Sequence, residues 1–140
     1  MRCPCDSDLD FSICCEPYLN GIEIPKTPEA LMRSRYTAYA LKKLDYIQDT
    51  MFGPAAQGFD LKHALDVAER THWRGLEVAP PSPPKDNIGW VTFIAHYQYN
   101  NEDFRIFEKS EFRKKNDKWF YYTGKKLNAA LIPKIFKDKT

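Results

Sequence analysis

The sequence predicts an α+β fold in which helices come first, an antiparallel sheet follows, and a cysteine-rich hook precedes both. Three observations predict it. Apolar residues recur at helical spacing from residue 32 to residue 68. Three later segments, 87–99, 102–114 and 118–123, read as strands joined by Asn100-Asn101 and Asn116-Asp117, pairs that suit two-residue turns because Asn and Asp tolerate positive φ. All four cysteines of the chain, Cys3, Cys5, Cys14 and Cys15, fall within the first fifteen residues.

Four soft ligands at one end of a chain suit a tetrahedral Zn²⁺ site with metal–sulfur bonds of about 2.3 Å. So short a segment buries too little apolar surface to hold itself together, so metal binding would supply much of its folding free energy. The alternative is disulfides. A Cys14–Cys15 bond joins adjacent residues and is strained, and Cys3–Cys5 is almost as poor. Cross-pairing of 3/5 with 14/15 is geometrically possible but wants an oxidising compartment. Met1-Arg2-Cys3 opens directly on the motif, without a charged region followed by an apolar one. The expectation is therefore a cytoplasmic protein with a structural Zn²⁺ on Cys3, Cys5, Cys14 and Cys15. Four thiolates close the coordination sphere and leave no position for a reacting water. The turn at 6–10 is free of glycine, and Asp6 or Ser7 can offer side-chain acceptors around it.

Residues 16–26 carry Gly21 and Pro25 and read as a connection. Thr27-Pro28-Glu29 is a helix start, with an N-cap, a proline in the first turn and an acid beside it. Met32, Tyr36, Ala40, Leu44 and Ile47 follow at helical spacing, Lys42-Lys43 divides the run into two helices, and Gly53-Pro54 ends it. Asp60 caps a third helix with Leu61, Ala64, Leu65 and Ala68 on its buried stripe. The sheet begins at 73–79, and the prolines at 80, 81, 83 and 84 make a stiff exposed connection to the next strand.

Two-residue hairpins fix the register of the later strands. Tyr97 then faces Phe104, Ala95 faces Ile106, Phe93 faces Glu108, Val91 faces Ser110, Phe112 faces Tyr121 and Lys114 faces Trp119. One face carries these apolar residues with Thr123 and is the expected core side. Glu108 is the ionisable side chain in its middle, with Ser110 beside it. A buried carboxylate needs a partner or a raised pKa. Arg33 and Arg35 on the first helix are the expected partners in a structural ion pair. The other reading is a polar floor in a cavity. The outer face carries Trp90, Ile94, Phe107, Phe120 and Tyr122 among charges, which suggests an interface or a surface covered by the hook or the tail.

The composition bounds the remaining classes. The 140 residues make one domain plus an appendage, with 43% hydrophobic and 14% aromatic residues and a net charge of +2. No apolar run approaches the roughly 18 residues of a membrane span. Phosphate-binding glycine loops are absent. His63, His72 and His96 read as surface or packing residues. Residues 1–20 carry Asp6, Asp8, Asp10 and Glu16 against Arg2, while Lys125, Lys126, Lys134, Lys137 and Lys139 make the tail basic. Hook and tail could pair, and 127–136 could dock on the core, a membrane surface or a partner, with Pro133 interrupting any continuous helix.

Cys3-Pro4-Cys5-x-Ser7, Phe11 and Cys14-Cys15 resemble the SEC-C zinc motif known from the tail of the SecA translocation ATPase. Leu31-Met32-Arg33-Ser34-Arg35-Tyr36, Trp73, Asp86-Asn87-Ile88-Gly89, Glu108-x-Ser110-x-Phe112 and Trp119-x-Tyr121 resemble the YchJ family across nearly the whole chain. The resemblance implies a zinc knuckle at 1–20, a linker at 21–26, a cystatin-like or nuclear-transport-factor-2-like domain at 27–124 with helices packed on a curved antiparallel sheet, and a basic tail at 125–140. Related folds often dimerise through the outer sheet face, so a homodimer through Trp90, Ile94, Phe107, Phe120 and Tyr122 is one of the two readings of that face, the other being cover by the hook or the tail. The motif's usual glycine and lysine pair are replaced by Asp6, Asp8, Leu9 and Asp10, and a second, C-terminal motif is missing.

Two functions are compatible with these residues. The first is a zinc-binding adaptor whose knuckle is a handle for a protein partner, with the 27–124 domain able to stay folded without metal. The second is a small cavity enzyme, a hydrolase or isomerase, with Glu108 as general base and Tyr36 or Tyr121 as donor; Ser110, Arg33 and Arg35 complete the candidate cavity set. An acidic knuckle makes a nucleic-acid partner the weakest reading.

Overall fold

Thr27 starts the helix on which the molecule is assembled. The computed structural model describes residues 1–136, and in it helix α2, Pro28–Ala40, is capped by the Thr27 hydroxyl accepting from the Ala30 N–H at 3.0 Å. Before it lie a 3₁₀ turn, Phe11–Ile13, and helix α1, Glu16–Leu19. Lys42, at φ 62°, breaks the run, and α3, Leu44–Asp49, follows. A short helix that the spacing did not predict, α4 at Pro54–Gln57, comes next. Asp60 accepts from the Lys62 and His63 N–H groups and opens α5, Leu61–Glu69. In α5 Leu65 is exposed rather than part of the buried stripe; Ala68 is the fully buried member.

Strands β1, Thr71–Val78, β2, Ile88–Tyr99, β3, Glu102–Lys115, and β4, Lys118–Lys126, form an antiparallel meander in chain order. The positive φ values of Asn100, Asn101, Asn116 and Asp117 confirm both two-residue turns. All six expected cross-strand pairs are present. The register changes beyond Phe112: Phe112 pairs with Tyr121, but Glu111 pairs with Thr123 and Ser110 with Gly124. A bulge at Tyr122 thus moves Thr123 off the core face, where strict alternation had put it, and brings Gly124 there instead. A second irregularity, at Arg74, interrupts the β1–β2 pairing. Helix α2 touches β1, β2 and β4, both edges of the sheet included, so the sheet curls around it.

Helix α2 is buried nearly all round, at Leu31, Met32, Ser34, Arg35, Tyr36, Thr37 and Ala38. The concave face of the sheet covers one side with Val91, Phe93, Ala95, Phe112 and Trp119. Residues of α3 and α5 cover another around Ala38, Leu44, Ile47 and Ala68. The amino-terminal hook covers the third, with Cys3, Cys5 and Cys15 in the same apolar cluster as Leu31, Met32 and Tyr36. Phe104, expected on the core face, is 43% exposed at the far end of β3 and stacks on Tyr97.

Of the two readings of the outer face, an interface or a surface covered by the hook or tail, the second holds for Ile94 and Phe107. Ile94 and Phe107 are 2% and 6% exposed, packed with Ala79, Leu127, Ile132, Ile135 and Phe136. A 3₁₀ turn, Ala129–Leu131, leads into α6, Ile132–Phe136, with Pro133 in its first turn. The apolar side of the tail therefore docks on its own sheet, and Lys137 and Lys139 lie outside the described residues. Phe120 and Tyr122 pack on Phe52, and Gly53, at φ 72°, fits under the Tyr122 ring where a Cβ would overlap it. Trp90 stays partly exposed with the Lys109 ammonium 5.6 Å from its ring centroid. Among the described residues no ion pair joins hook to tail. Asp8 pairs with Arg2 at 2.6 Å, and Asp10 with the amino terminus at 3.1 Å. Of the histidines, His63 and His72 are exposed, and His96 meets Glu77 on the outer face at 2.8 Å.

Deleting residues 127–140 should uncover Ile94 and Phe107 and cost about 3 kcal/mol or more of stability, since burial of each such side chain contributes roughly 1.5–3 kcal/mol. Denaturant melts should show the loss, with a gain in binding of an apolar dye. Unchanged melting and dye binding would contradict the docking.

Candidate metal centre and ligand cavity

The hook is built by local backbone bonds. The Cys3 N–H donates to the Leu9 carbonyl and the Phe11 N–H to the Met1 carbonyl, both at 2.9 Å. Asp6 and Asp8 take left-handed φ values of 61° and 68°, so aspartate fills turn positions that favour glycine. The fold brings the four sulfurs within 4.8 Å of one another. Cys5 Sγ lies 3.6 Å from Cys14 Sγ, and Cys14 Sγ 3.9 Å from Cys15 Sγ. A tetrahedron with metal–sulfur bonds of about 2.3 Å has edges of about 3.8 Å, so these separations fit a bound ion. They are far beyond a disulfide bond, and all four cysteines are free.

The surroundings act differently on the individual sulfurs. The Cys5 thiol is held down to about 4, chiefly by the hydrogen bond from Cys15. Burial raises Cys14, and the Cys5 contact together with burial raises Cys15. Ser7 Oγ sits 3.2 Å from Cys14 Sγ and accepts from the Leu9 N–H. Thr37 Oγ1 donates to Cys15 Sγ at 3.3 Å and lies 3.6 Å from Cys3 Sγ.

Thr37 and Arg33 were not assigned to this centre by spacing within the hook. Their signal lay in α2, where Glu29, Arg33 and Thr37 recur every four residues on one face. Arg33, expected opposite Glu108, instead pairs with Glu29 at 3.0 Å and donates to the Cys5 carbonyl at 2.7 Å. On the other side, the Asp6 carboxylate accepts from the Leu76 N–H at 2.9 Å. The hook is thus pinned to α2 by Arg33 and Thr37 and to β1 by Asp6.

A cavity of about 330 Å³ lies between α2 and the concave sheet face. Met32, Tyr36, Tyr39, Trp73, Phe93, Ala95, Ile106, Phe112 and Tyr121 form its walls, with Glu108, Ser110 and Arg35 as its polar residues. The expected arginine–glutamate pair is not formed. Glu108 Oε2 accepts from Ser110 Oγ at 2.6 Å and from the Tyr121 hydroxyl at 3.2 Å. Arg35 donates to the Ile47 carbonyl at 2.9 Å and the Thr50 hydroxyl at 2.6 Å, with its guanidinium 4.7 Å from the centroid of the Tyr121 ring. Loop residues fix that tyrosine, because the Tyr121 N–H donates to the Thr50 carbonyl and the Tyr121 carbonyl accepts from the Phe52 N–H. Burial, then the Glu108 charge, raises the Tyr121 hydroxyl pKa, and burial lifts Tyr36 to about 12. Both phenols therefore stay protonated at neutral pH. Of the six candidates, Tyr36, Tyr121, Glu108, Ser110 and Arg35 meet at the cavity; Arg33 does not.

The comparisons with known proteins agree with this architecture. Residues 27–124 match the family model for the middle NTF2-like domain of YchJ. The chain is 40% identical over 124 residues to the UPF0225 protein GSU1048 of Geobacter sulfurreducens, covering 87% of this chain and 77% of that one. A SEC-C motif containing protein from Rhodopseudomonas palustris, RPA3114, has a solution structure that superposes with a TM-score of 0.82 at 35% identity, covering 91% of this chain and all of that one. The crystal structure of a SEC-C motif containing protein from Psychrobacter arcticus gives a TM-score of 0.75 at 26% identity, over 91% and 83% of the two chains. The four-cysteine hook, the helix-filled curved sheet and these matches together show that the chain belongs to the YchJ family.

Proposed function

We propose that this protein is a zinc-stabilised adaptor of the cytoplasm, in which Cys3, Cys5, Cys14 and Cys15 hold Zn²⁺ and the knuckle is the handle for a protein partner. The observation that carries the reading is the placement of apolar side chains around a buried metal centre. Cys3, Cys5 and Cys15 are buried, while Leu9 and Ile13 beside them are 48% and 70% exposed. These two line a shallow groove with Tyr18 and Ala30, between the knuckle and the start of α2. Glu29 and Arg33, which pair with each other at 3.0 Å, also line it, and a tetrathiolate zinc would carry about two negative charges behind its Cys14–Cys15 wall. The fitting partner is a protein segment with an apolar anchor beside a basic residue. No helix among the described residues is long and apolar enough to cross a membrane. A reducing compartment keeps all four thiols available to the metal.

Purified protein should hold one zinc per chain, and cobalt substitution should give the spectrum of a tetrahedral thiolate site. A metal-free, correctly folded chain, or a spectrum with an oxygen ligand, would refute the assignment. Because thiols must lose protons to bind, the metal should be retained at neutral pH and released as the pH falls.

Thr37→Val keeps the volume of a buried side chain but removes the hydroxyl that donates to Cys15. It should weaken zinc affinity by about 10-fold or more, as loss of a partner hydrogen-bonded to a metal ligand does. Competition with a chelator measures this, and an unchanged affinity would remove Thr37 from the centre.

Ile13→Asp should abolish capture of partners by the zinc-loaded protein without altering its melting, whereas Trp90→Ala on the outer face should leave capture intact. Retention of the same partners by Ile13→Asp, compared by quantitative pull-down, would rule out the handle.

A further inference from the structure

The geometry points to the cavity under α2 as a binding site for a small organic amine, an apolar group bearing one ammonium that meets Glu108. Ser110 and Tyr121 both spend their hydroxyl hydrogens on Oε2 of Glu108. Oε1 receives no donor from the described residues, and no buried side-chain polar atom among them lacks a partner, so Oε1 is open to the cavity. What the floor offers a ligand is therefore an unused carboxylate acceptor, and its complement is an N–H donor, best a cationic one.

The backbone around Glu108 is arranged to leave that carboxylate room. The bulge at Tyr122 sets Gly124 opposite Ser110. A Cβ at Gly124 would overlap Glu108 Oε2 and lie 2.5 Å from the Tyr121 hydroxyl oxygen. Thr123, which the unbulged register would place here, could not coexist with the constellation. A bulge and a glycine are thus used to seat an acid on an otherwise apolar face, where a plain Thr or Val would pack more simply.

The walls suit a cation as well. Tyr36, Tyr39, Trp73, Phe93, Phe112 and Tyr121 surround the cavity, and aromatic faces attract an ammonium that has left water. Arg35 is the competing charge, and it would favour a carboxylate ligand. Its guanidinium is turned to the carboxy-terminal end of α3, where the Ile47 carbonyl and Thr50 hydroxyl accept from it, and the Tyr121 ring lies against it. The volume, about 330 Å³, is at the small end of the range for ligand sites and matches one ring with a short aminoalkyl arm.

The test uses three probes of one shape on the full-length, zinc-loaded chain: phenethylamine, 2-phenylethanol and phenylacetate. Calorimetry gives the affinities, and the Trp73 indole resonance reports the place of binding. The amine should bind at least 10-fold more tightly than the alcohol and shift the Trp73 resonance, with phenylacetate weakest. Glu108→Gln should remove the preference for the amine while leaving the alcohol unchanged. If Glu108→Gln fails to fold, Tyr121→Phe, which frees one acceptor site on Oε2, should keep the preference in an intact cavity. Equal affinity for all three probes, preference for phenylacetate, or no binding of the amine would overturn the proposal. None of these outcomes depends on the knuckle acting as a handle.

Discussion

A helix that is buried all round needs something apolar or bonded on every side, and α2 meets that need with three different layers. Two are ordinary: the curved sheet and the α3–α5 pair. The third is the cysteine hook, which covers the face carrying Arg33 and Thr37. That face is too polar to pack against a sheet. It is satisfied because the hook presents backbone carbonyl and sulfur as acceptors at the right places. Fifteen residues that bury too little to fold alone are thereby made part of the main apolar cluster, which ties the expected stability of the two together.

This coupling changes what metal loss would do. An appendage on a linker could unfold without consequence for the domain behind it. Here Cys3, Cys5 and Cys15 share an apolar cluster with Tyr36, Val91 and Phe112, and Tyr36 and Phe112 also wall the cavity. Opening the hook would expose the Arg33–Thr37 face of α2 and loosen the helix that roofs the Glu108 site. The hook and the cavity are thus separate in chemistry but share one mechanical support. The docked tail covers Ile94 and Phe107 on the outer side of β2 and β3.

Much of this was legible in the residues. The Thr27 cap, the break at Lys42-Lys43, both Asn-containing turns and the pairing of β2 with β3 follow from local chemistry, which short sequence windows carry in full. The cysteine quartet was legible because its ligands are close in sequence. What failed depended on distant packing. The Tyr122 bulge leaves no mark in an alternating strand, so Thr123 was put on the wrong face. For Ile94 and Phe107 the alternation of β2 and β3 leaves an interface and cover by the tail equally open, and only the packing of residues 127–136 decides between them. Arg33 was set opposite Glu108 by complementarity of charge, whereas the hook supplies it with a carbonyl that no residue type announces. The spacing of Glu29, Arg33 and Thr37 held the missing information, but a polar stripe on a helix reads as solvent-facing until something is known to cover it.

Hydrogen exchange with and without the metal tests the mutual dependence of hook and core most directly. The Leu76 amide donates to Asp6 across the hook–sheet contact, and the α2 amides lie under the Arg33–Thr37 face. The account predicts that stripping the metal accelerates exchange at Leu76 and along α2 as well as within residues 1–20. Faster exchange confined to residues 1–20, with Leu76 and α2 as protected as before, would contradict it.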